Sequence, residues 1–73
     1  MAINGRKVKQ RRDELHLSRL DVAERVISYG AALSGERIRQ IEEGGCDLKW
    51  SKGSALARAL ETTMDSLDGS VNG

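Results

Sequence analysis

A group of long polar side chains lies between Ser34 and Gly45 of this 73-residue chain. At about 100° per residue, Ile38, Ile41 and Glu42 share one helical face. The opposite face and its flanks carry five charged or amide side chains, which are Glu36, Arg37, Arg39, Gln40 and Glu43. Guanidinium, amide and carboxylate groups bind partners through hydrogen bonds and charge. The spacing therefore predicts a helix that presents a polar face to a partner and keeps one acid on its inner face.

The residue types needed for catalysis or metal binding are scarce. One cysteine, Cys46, and one histidine, His16, cannot form a disulfide or a zinc site. No two carboxylates are placed for acid–base work, and Gly44-Gly45 lacks the lysine-serine pattern of a phosphate-binding loop. We therefore expect no enzyme activity, no metal and no cofactor, and an incidental role for Cys46.

Positive charge is concentrated in the first part of the chain. Residues 1–20 carry six lysines and arginines against two acids, whereas residues 53–73 carry one arginine against three acids. The whole chain has a net charge of only +1 at pH 7. This asymmetry predicts a positive surface on one side. A solvated charged helix explains the basic N-terminus equally well.

The sequence shows neither an apolar run that could span a membrane nor the apolar core of a signal peptide. With a single cysteine, this pattern predicts a cytoplasmic protein and no membrane partner. The only aromatic residues are Trp50 and Tyr29, which argues against stacking on single-stranded nucleic acid. In so small a domain we expect Trp50 to fill the core.

Periodicity and capping residues predict four or five short helices. Residues 1–4 are a frayed start, and the first helix runs from Gly5 to His16. Ser18 and Asp21 form a capping box for a second helix that ends near Ile27. The connection at residues 28–33 follows.

The third helix, residues 34–43, has the clearest boundaries. Ser34 is its N-cap, because the hydroxyl can accept a hydrogen bond from a free backbone N–H. Leu33 and Ile38 suit a hydrophobic staple. Gly44 and Gly45 suit the left-handed turn that ends a helix.

Two further helices complete a small all-α domain. The fourth runs from about Ser51 to Glu61, and Thr63 caps a last turn. Residues 68–73 form a polar tail that we expect to be disordered. The prediction is one domain over residues 1–73, a compact bundle of four to five short helices with its core in about residues 5–67.

These helices and three runs of sequence resemble the Cro/repressor-type, or xenobiotic-response-element-type, helix-turn-helix domain of bacterial and phage regulators. The runs are residues 17–24, residues 38–44, and residues 56–60 followed by 64–67. The resemblance covers about residues 5–67. It implies a lambda-repressor-like fold that binds double-stranded DNA, with the helix at residues 34–43 as the recognition helix in the major groove.

The resemblance implies two groups of DNA contacts. The base contacts are Gly35, Glu36, Arg37 and Gln40. The phosphate contacts are Ser18, Arg19, Ser34, Arg39, Lys49, Ser51 and Lys52. Gln40 suits adenine, Arg37 suits guanine, and Glu36 suits the amino group of cytosine. Glu36 has a second interpretation, since an acid in the first turn stabilises the helix dipole without touching a partner.

Glu42 lies on the inner face, where an unpaired carboxylate is costly. The family pairs this glutamate with an arginine of the first helix, and Arg12 occupies the matching position. The resemblance therefore implies a structural ion pair between Arg12 and Glu42. The alternative is that Glu42 bends outward and is solvated.

Three features depart from the family pattern. Residues 28–33 supply six residues where a turn of about three or four is usual. Arg19 stands where the family prefers glutamine, and Gly35 offers no side chain at a contact position. We expect a lengthened turn that alters the tilt of the recognition helix.

Two functions of different classes follow. The first is a minimal transcriptional regulator, such as a Cro protein, a small repressor or an antitoxin, which dimerises through Met64, Leu67 and Val71. The second is a protein-interaction module of the same fold with weak or no DNA reading. The small net charge, together with Gly35 and Glu36, favours the second.

Overall fold

The computed structural model describes residues 2–69. Its helices are α1 (Gly5–Glu14), α2 (Arg19–Ser28), α3 (Gly35–Gly44), α4 (Trp50–Ala59) and α5 (Met64–Leu67). Two short strands, β1 (Ala2–Ile3) and β2 (Cys46–Asp47), pair in antiparallel orientation. The prediction of a compact, helical bundle of four to five short helices is confirmed with five, and this two-stranded pair is an addition.

Side-chain caps fix where α2 and α3 begin. The Ser18 hydroxyl accepts the backbone N–H of Asp21 at 3.0 Å, and the Asp21 carboxylate accepts that of Ser18 at 3.1 Å. The backbone N–H and then the hydroxyl of Ser18 hold the pKa of Asp21 below its usual value. The Ser34 hydroxyl accepts the backbone N–H of Arg37 at 3.1 Å. Both predicted N-caps are therefore present.

Two helices end earlier than predicted because the chain turns left-handed beyond them. Helix α1 ends at Glu14, and His16 has a φ of 57°. Helix α4 begins at Trp50 and ends at Ala59, and Glu61 has a φ of 54°. A left-handed residue cannot continue a right-handed helix, so these residues set the helix ends.

The core lies between the helices, with α3 packed against both α1 and α2, and α2 also packed against α4. The largest fully buried side chains come from all five helices and from Leu60, which follows α4: Val8, Val22, Val26, Ile38, Ile41, Leu56, Leu60 and Leu67. The inner face of α3 therefore sits where three helices meet.

Helices α1 and α3 approach each other closely at Gly5. A Cβ at this position would lie 2.0 Å from the carbonyl oxygen of Ile41 and 2.7 Å from that of Glu42. No side chain fits there, so glycine is required by the packing. The contact sets the distance between the two helices that carry Arg12 and Glu42.

The start of the chain is not frayed as predicted. Ile3 is 4% exposed and pairs with Cys46 of β2 and, through an isolated bridge, with Asp68. The side chain of Asn4 accepts two backbone N–H groups and caps α1. The segment is held because burial of Ile3 and pairing with distant residues outweigh the short length of the strand.

The polar tail also begins differently from the prediction. The backbone N–H of Gly69 donates to the carbonyl oxygen of Ala2 at 2.9 Å. Residues 68 and 69 thus lie against the start of the chain. The remainder of the predicted tail, residues 70–73, lies outside the described residues, as does residue 1.

Trp50 is 73% exposed, so the prediction that it fills the core is wrong. It is the first residue of α4, ahead of the stripe that packs inward. Leu56 and Leu60, both fully buried, occupy the core on this side.

The connection between α2 and α3 has five residues, 29–33, before the N-cap Ser34. Gly30 has a φ of 87°, which glycine adopts without strain. Leu33 is buried in the core and holds the end of the connection.

Within residues 2–69, no helix has the length and apolar character needed to cross a bilayer.

Candidate nucleic-acid interface

Two arginines from different helices bind the buried carboxylate of Glu42. The Glu42 side chain is 1% exposed. Arg12 donates through Nε to Oε2 at 2.6 Å and through Nη2 to Oε1 at 3.1 Å. Arg19 donates through Nε to Oε1 at 3.1 Å. Helix α3 is therefore tied by one carboxylate to both α1 and α2.

The charges in this cluster stabilise one another. Burial disfavours the ionised form of Glu42, but the hydrogen bonds from Arg12 and Arg19 outweigh it and lower the pKa of the carboxyl. The hydrogen bond to Glu42 raises the pKa of Arg12. The third nitrogen of Arg12, Nη1, donates to the carbonyl oxygen of Leu17 at 2.9 Å. All three nitrogens of Arg12 are thus satisfied.

The structure thus brings together the predicted pair Arg12 and Glu42. It also engages Arg19 in a contact that sequence reasoning missed. The family resemblance implied a phosphate contact for Arg19. No local sequence signal links residues 23 positions apart, so the contact needed the three-dimensional fold.

On the outer face of α3, Arg39 lies between two acids. Its Nε donates to both carboxylate oxygens of Glu36, at 3.1 and 3.0 Å, and Nη2 donates to Glu36 as well. Its Nη1 donates to both oxygens of Glu43 at 2.8 Å. The hydrogen bond from Arg39 lowers the pKa of Glu36. These exposed pairs contribute little to stability, but they offset the charge of Arg39 on this face.

The same face exposes Arg37 and Gln40, one turn apart. The Nη1 group of Arg37 donates to the side-chain carbonyl of Gln40 at 3.3 Å. Arg37 makes no ion pair with the residues that the structure describes. Apart from this bond, the side chains of Arg37 and Gln40 make no hydrogen bond within residues 2–69.

Gly35 packs against the start of α2. A Cβ at Gly35 would lie 4.0 Å from the Cβ of Arg19 and from the backbone nitrogen of Leu20. The positive charge of Arg19 also contributes to the lowered pKa of Glu36. The first turns of α2 and α3 therefore meet, which brings together most of the predicted contact residues.

The remaining predicted contacts lie at the start of α4. Lys49 is the N-cap residue, and Ser51 and Lys52 are in the first turn; all three are exposed. No side-chain hydrogen bond or ion pair within residues 2–69 joins them to the residues of α2 and α3. Their two lysines add positive charge without an acidic partner in this part of the chain.

The predicted dimer contacts are not on the surface as a group. Leu67 is 1% exposed and belongs to the core, and Met64 is partly buried against it. Val71 lies outside the described residues. The large apolar side chains that the described residues expose lie elsewhere: Leu20, Ile27, Tyr29 and Trp50.

Neither a metal centre nor a disulfide is present among residues 2–69. No three His, Cys, Asp or Glu residues in this range are placed to hold a metal ion. Cys46 is a half-buried free thiol in β2. What the arrangement offers chemically is hydrogen bonding and charge.

Searches against models of protein families, curated proteins and solved structures give no match for this chain. The functional conclusion therefore rests on the geometry of the polar face of α3 and its supports.

Proposed function

We propose that this protein is a sequence-specific double-stranded DNA-binding transcriptional regulator of the Cro/repressor type, with a lambda-repressor-like fold. Helices α2 and α3 act as the helix-turn-helix, and α3 is the recognition helix in the major groove. One observation carries the proposal. Helix α3 is fixed through its buried face to α1 and α2, while Gln40 on its opposite face and Arg37 on the flank are exposed.

Rigid support is what base reading requires of a recognition helix. Hydrogen bonds to base edges need side chains held in register with the groove. The buried Glu42 and its two arginines supply that support, together with Ile38 and Ile41 in the core. In this proposal Arg37 reads guanine, Gln40 reads adenine, and Glu36 accepts from the cytosine amino group.

The structure refines the role of two predicted contacts. Gly35 faces the start of α2, where a Cβ would have its nearest neighbours at 4.0 Å, so the packing does not require glycine and the residue offers no side chain for a base contact. Arg39 is bound to Glu36 and Glu43, so a phosphate must compete with two carboxylates for it. In this proposal the main phosphate contacts are then Arg19, Lys49 and Lys52.

The two acids that bind Arg39, Glu36 and Glu43, favour a second function. Glu36 and Glu43 offset the charge of Arg39 and would repel phosphates near the polar face of α3. A protein-interaction module of the same fold, such as the partner-binding part of an antitoxin, has no need of a positive face. We place it second because Arg37, Lys49 and Lys52 are exposed and make no ion pair within residues 2–69, so their positive charge is available to phosphates.

Selection of bound sequences from random duplex DNA tests the proposal. We expect the wild-type protein to enrich a defined site, because paired hydrogen bonds to bases discriminate by about 1–3 kcal/mol each. Arg37→Ala and Gln40→Ala should each relax the preference at one position. Arg58→Ala is the control, since this exposed arginine lies in the last turn of α4 and is not one of the predicted contact residues.

The outcomes separate the two functions. Enrichment that Arg37→Ala and Gln40→Ala weaken, and that Arg58→Ala leaves intact, supports the regulator. If the wild-type protein neither enriches a sequence nor binds duplex DNA at low salt, the regulator is refuted and the interaction module is favoured.

A further inference from the structure

The guanidinium of Arg19 has one anchored edge and one free edge. Its Nε donates to Glu42 Oε1 at 3.1 Å. Its two terminal nitrogens make no hydrogen bond within residues 2–69, and its side chain is 38% exposed. The Arg12 side chain is only 12% exposed and uses every nitrogen internally. Of the two arginines that bind Glu42, only Arg19 has terminal nitrogens without a hydrogen-bond partner among the described residues.

We infer that Glu42 is a positioning residue for DNA binding, holding Arg19 through Nε while the two terminal nitrogens of Arg19 bind one backbone phosphate. The inference rests on the proposed function, because it supplies the phosphate that Arg19 would meet. A guanidinium suits this double role, since its five N–H donors lie in a fixed plane and two edges can bind two anions.

The consequence is that one carboxylate sets two features of the bound complex. Through Arg12 it fixes α3 against α1, and through Arg19 it fixes a contact to the DNA backbone. Backbone contacts determine the register of a protein on the duplex. The seating of α3 and its register on DNA are therefore coupled through Glu42.

Lysine cannot fill both roles of Arg19, because its one nitrogen must serve two anions without a fixed planar geometry. Arg19→Lys keeps the charge and Arg19→Gln removes it, so the pair separates geometry from charge. Arg25→Lys is the matched control. Arg25 is also an arginine of α2 held by an acid, with Nη1 donating to Glu61 at 3.0 Å.

The first measurement is the affinity for a fluorescently labelled random-sequence duplex at salt concentrations from about 50 to 200 mM. We expect Arg19→Gln to reduce the slope of log affinity against log salt by about 0.9, the value for one lost phosphate contact. We expect Arg19→Lys to bind roughly tenfold more weakly than the wild type, since a positioned charged hydrogen bond is lost. Arg25→Lys should bind as the wild type does, and circular dichroism verifies that each variant is folded.

The second measurement is the NMR signal of the Arg19 Nε–H group, with and without duplex DNA. If Glu42 positions Arg19, this signal stays protected from exchange with water when DNA binds, and Arg19 keeps its bond to Glu42. In the affinity measurement, an Arg19 that only supports the fold through Glu42 would give the same DNA affinity as the Arg19→Lys variant.

The outcomes distinguish this inference from the proposed function. A wild-type protein that fails to bind duplex DNA at low salt refutes both. A wild-type protein that binds, together with an Arg19→Lys variant of equal affinity, refutes the positioning role alone. Release of the Nε–H signal to rapid exchange in the complex does the same, because Arg19 would then leave Glu42 to bind DNA.

Discussion

Replacing Arg12 with alanine leaves the carboxylate of Glu42 buried with one of its three hydrogen bonds, the one from Arg19. Removing one partner of a buried ion pair costs about 3–5 kcal/mol. Arg19 would still donate to Oε1, so we expect the lower end of that range, about 3 kcal/mol. A domain of this length has a free energy of unfolding of roughly 4–11 kcal/mol, at about 0.05–0.15 kcal/mol per residue. The substitution should therefore remove a large share of the stability.

Urea unfolding followed by far-ultraviolet circular dichroism measures this loss at pH 7. In a thermal scan, the same change should lower Tm by roughly 12–24 °C. Arg58→Ala removes an exposed arginine from α4 and should stay within about 0.5 kcal/mol of the wild type. An Arg12→Ala variant as stable as Arg58→Ala would show that the buried pair does not support the fold.

The pH dependence of the loss gives a second check on the same variant. The pKa of Glu42 is lowered in the folded state, so its contribution to stability is present above the ordinary carboxyl pKa and is lost as the pH falls through the lowered one. Without Arg12, two of the three hydrogen bonds that lower this pKa are lost, so it lies closer to the ordinary value. The stability difference between the wild type and Arg12→Ala should therefore shrink as the pH falls from about 5 to below 4. A difference that stays constant over this range would contradict the assignment to Glu42.

Three further predictions concern the elements that place α3. Gly5→Ala should destabilise the domain by about 3 kcal/mol in urea unfolding, because its Cβ would overlap the carbonyl of Ile41. Gly35→Ala is the control and should cost far less, because its Cβ would have its nearest neighbour at 4.0 Å. Equal losses of stability in the two variants would refute the close approach of α1 and α3 at Gly5. Ser34→Ala should cost about 1 kcal/mol through the lost N-cap, and no change would mean that the hydroxyl does not cap α3. Trp50→Ala should change stability by no more than about 0.5 kcal/mol, and a large loss would place its ring in the core after all.

Helix α3 shows what the sequence can specify by itself. Its start at Ser34 and its end near Gly45 follow from capping, which depends on residues one turn apart. The burial of Ile38 and Ile41 follows from helical period. Arg39 could also have been assigned to its acids, since Glu36 and Glu43 stand three residues before it and four after it.

Other features depend on contacts between distant residues, and the sequence carries no local sign of them. Burial of Ile3 requires β2 and residue 68 to come alongside, and strands of two residues have no recognisable period. In the sequence Gly5 resembles any residue at a helix start, and only the packing of α3 against it shows that glycine is required there. The prediction for Trp50 was wrong because a large apolar side chain favours the core, whereas the place of this residue in the first turn of α4 directs its side chain outward.

The central claim, that the polar face of α3 reads duplex DNA, is tested most directly by NMR titration of the protein with a short duplex at low salt. We predict shift changes confined to Arg19, residues 34–40 and residues 49–52, with an affinity that falls steeply as salt is added. Shift changes concentrated instead around Ile27, on the exposed side of α2, or no change at any DNA concentration, would contradict it.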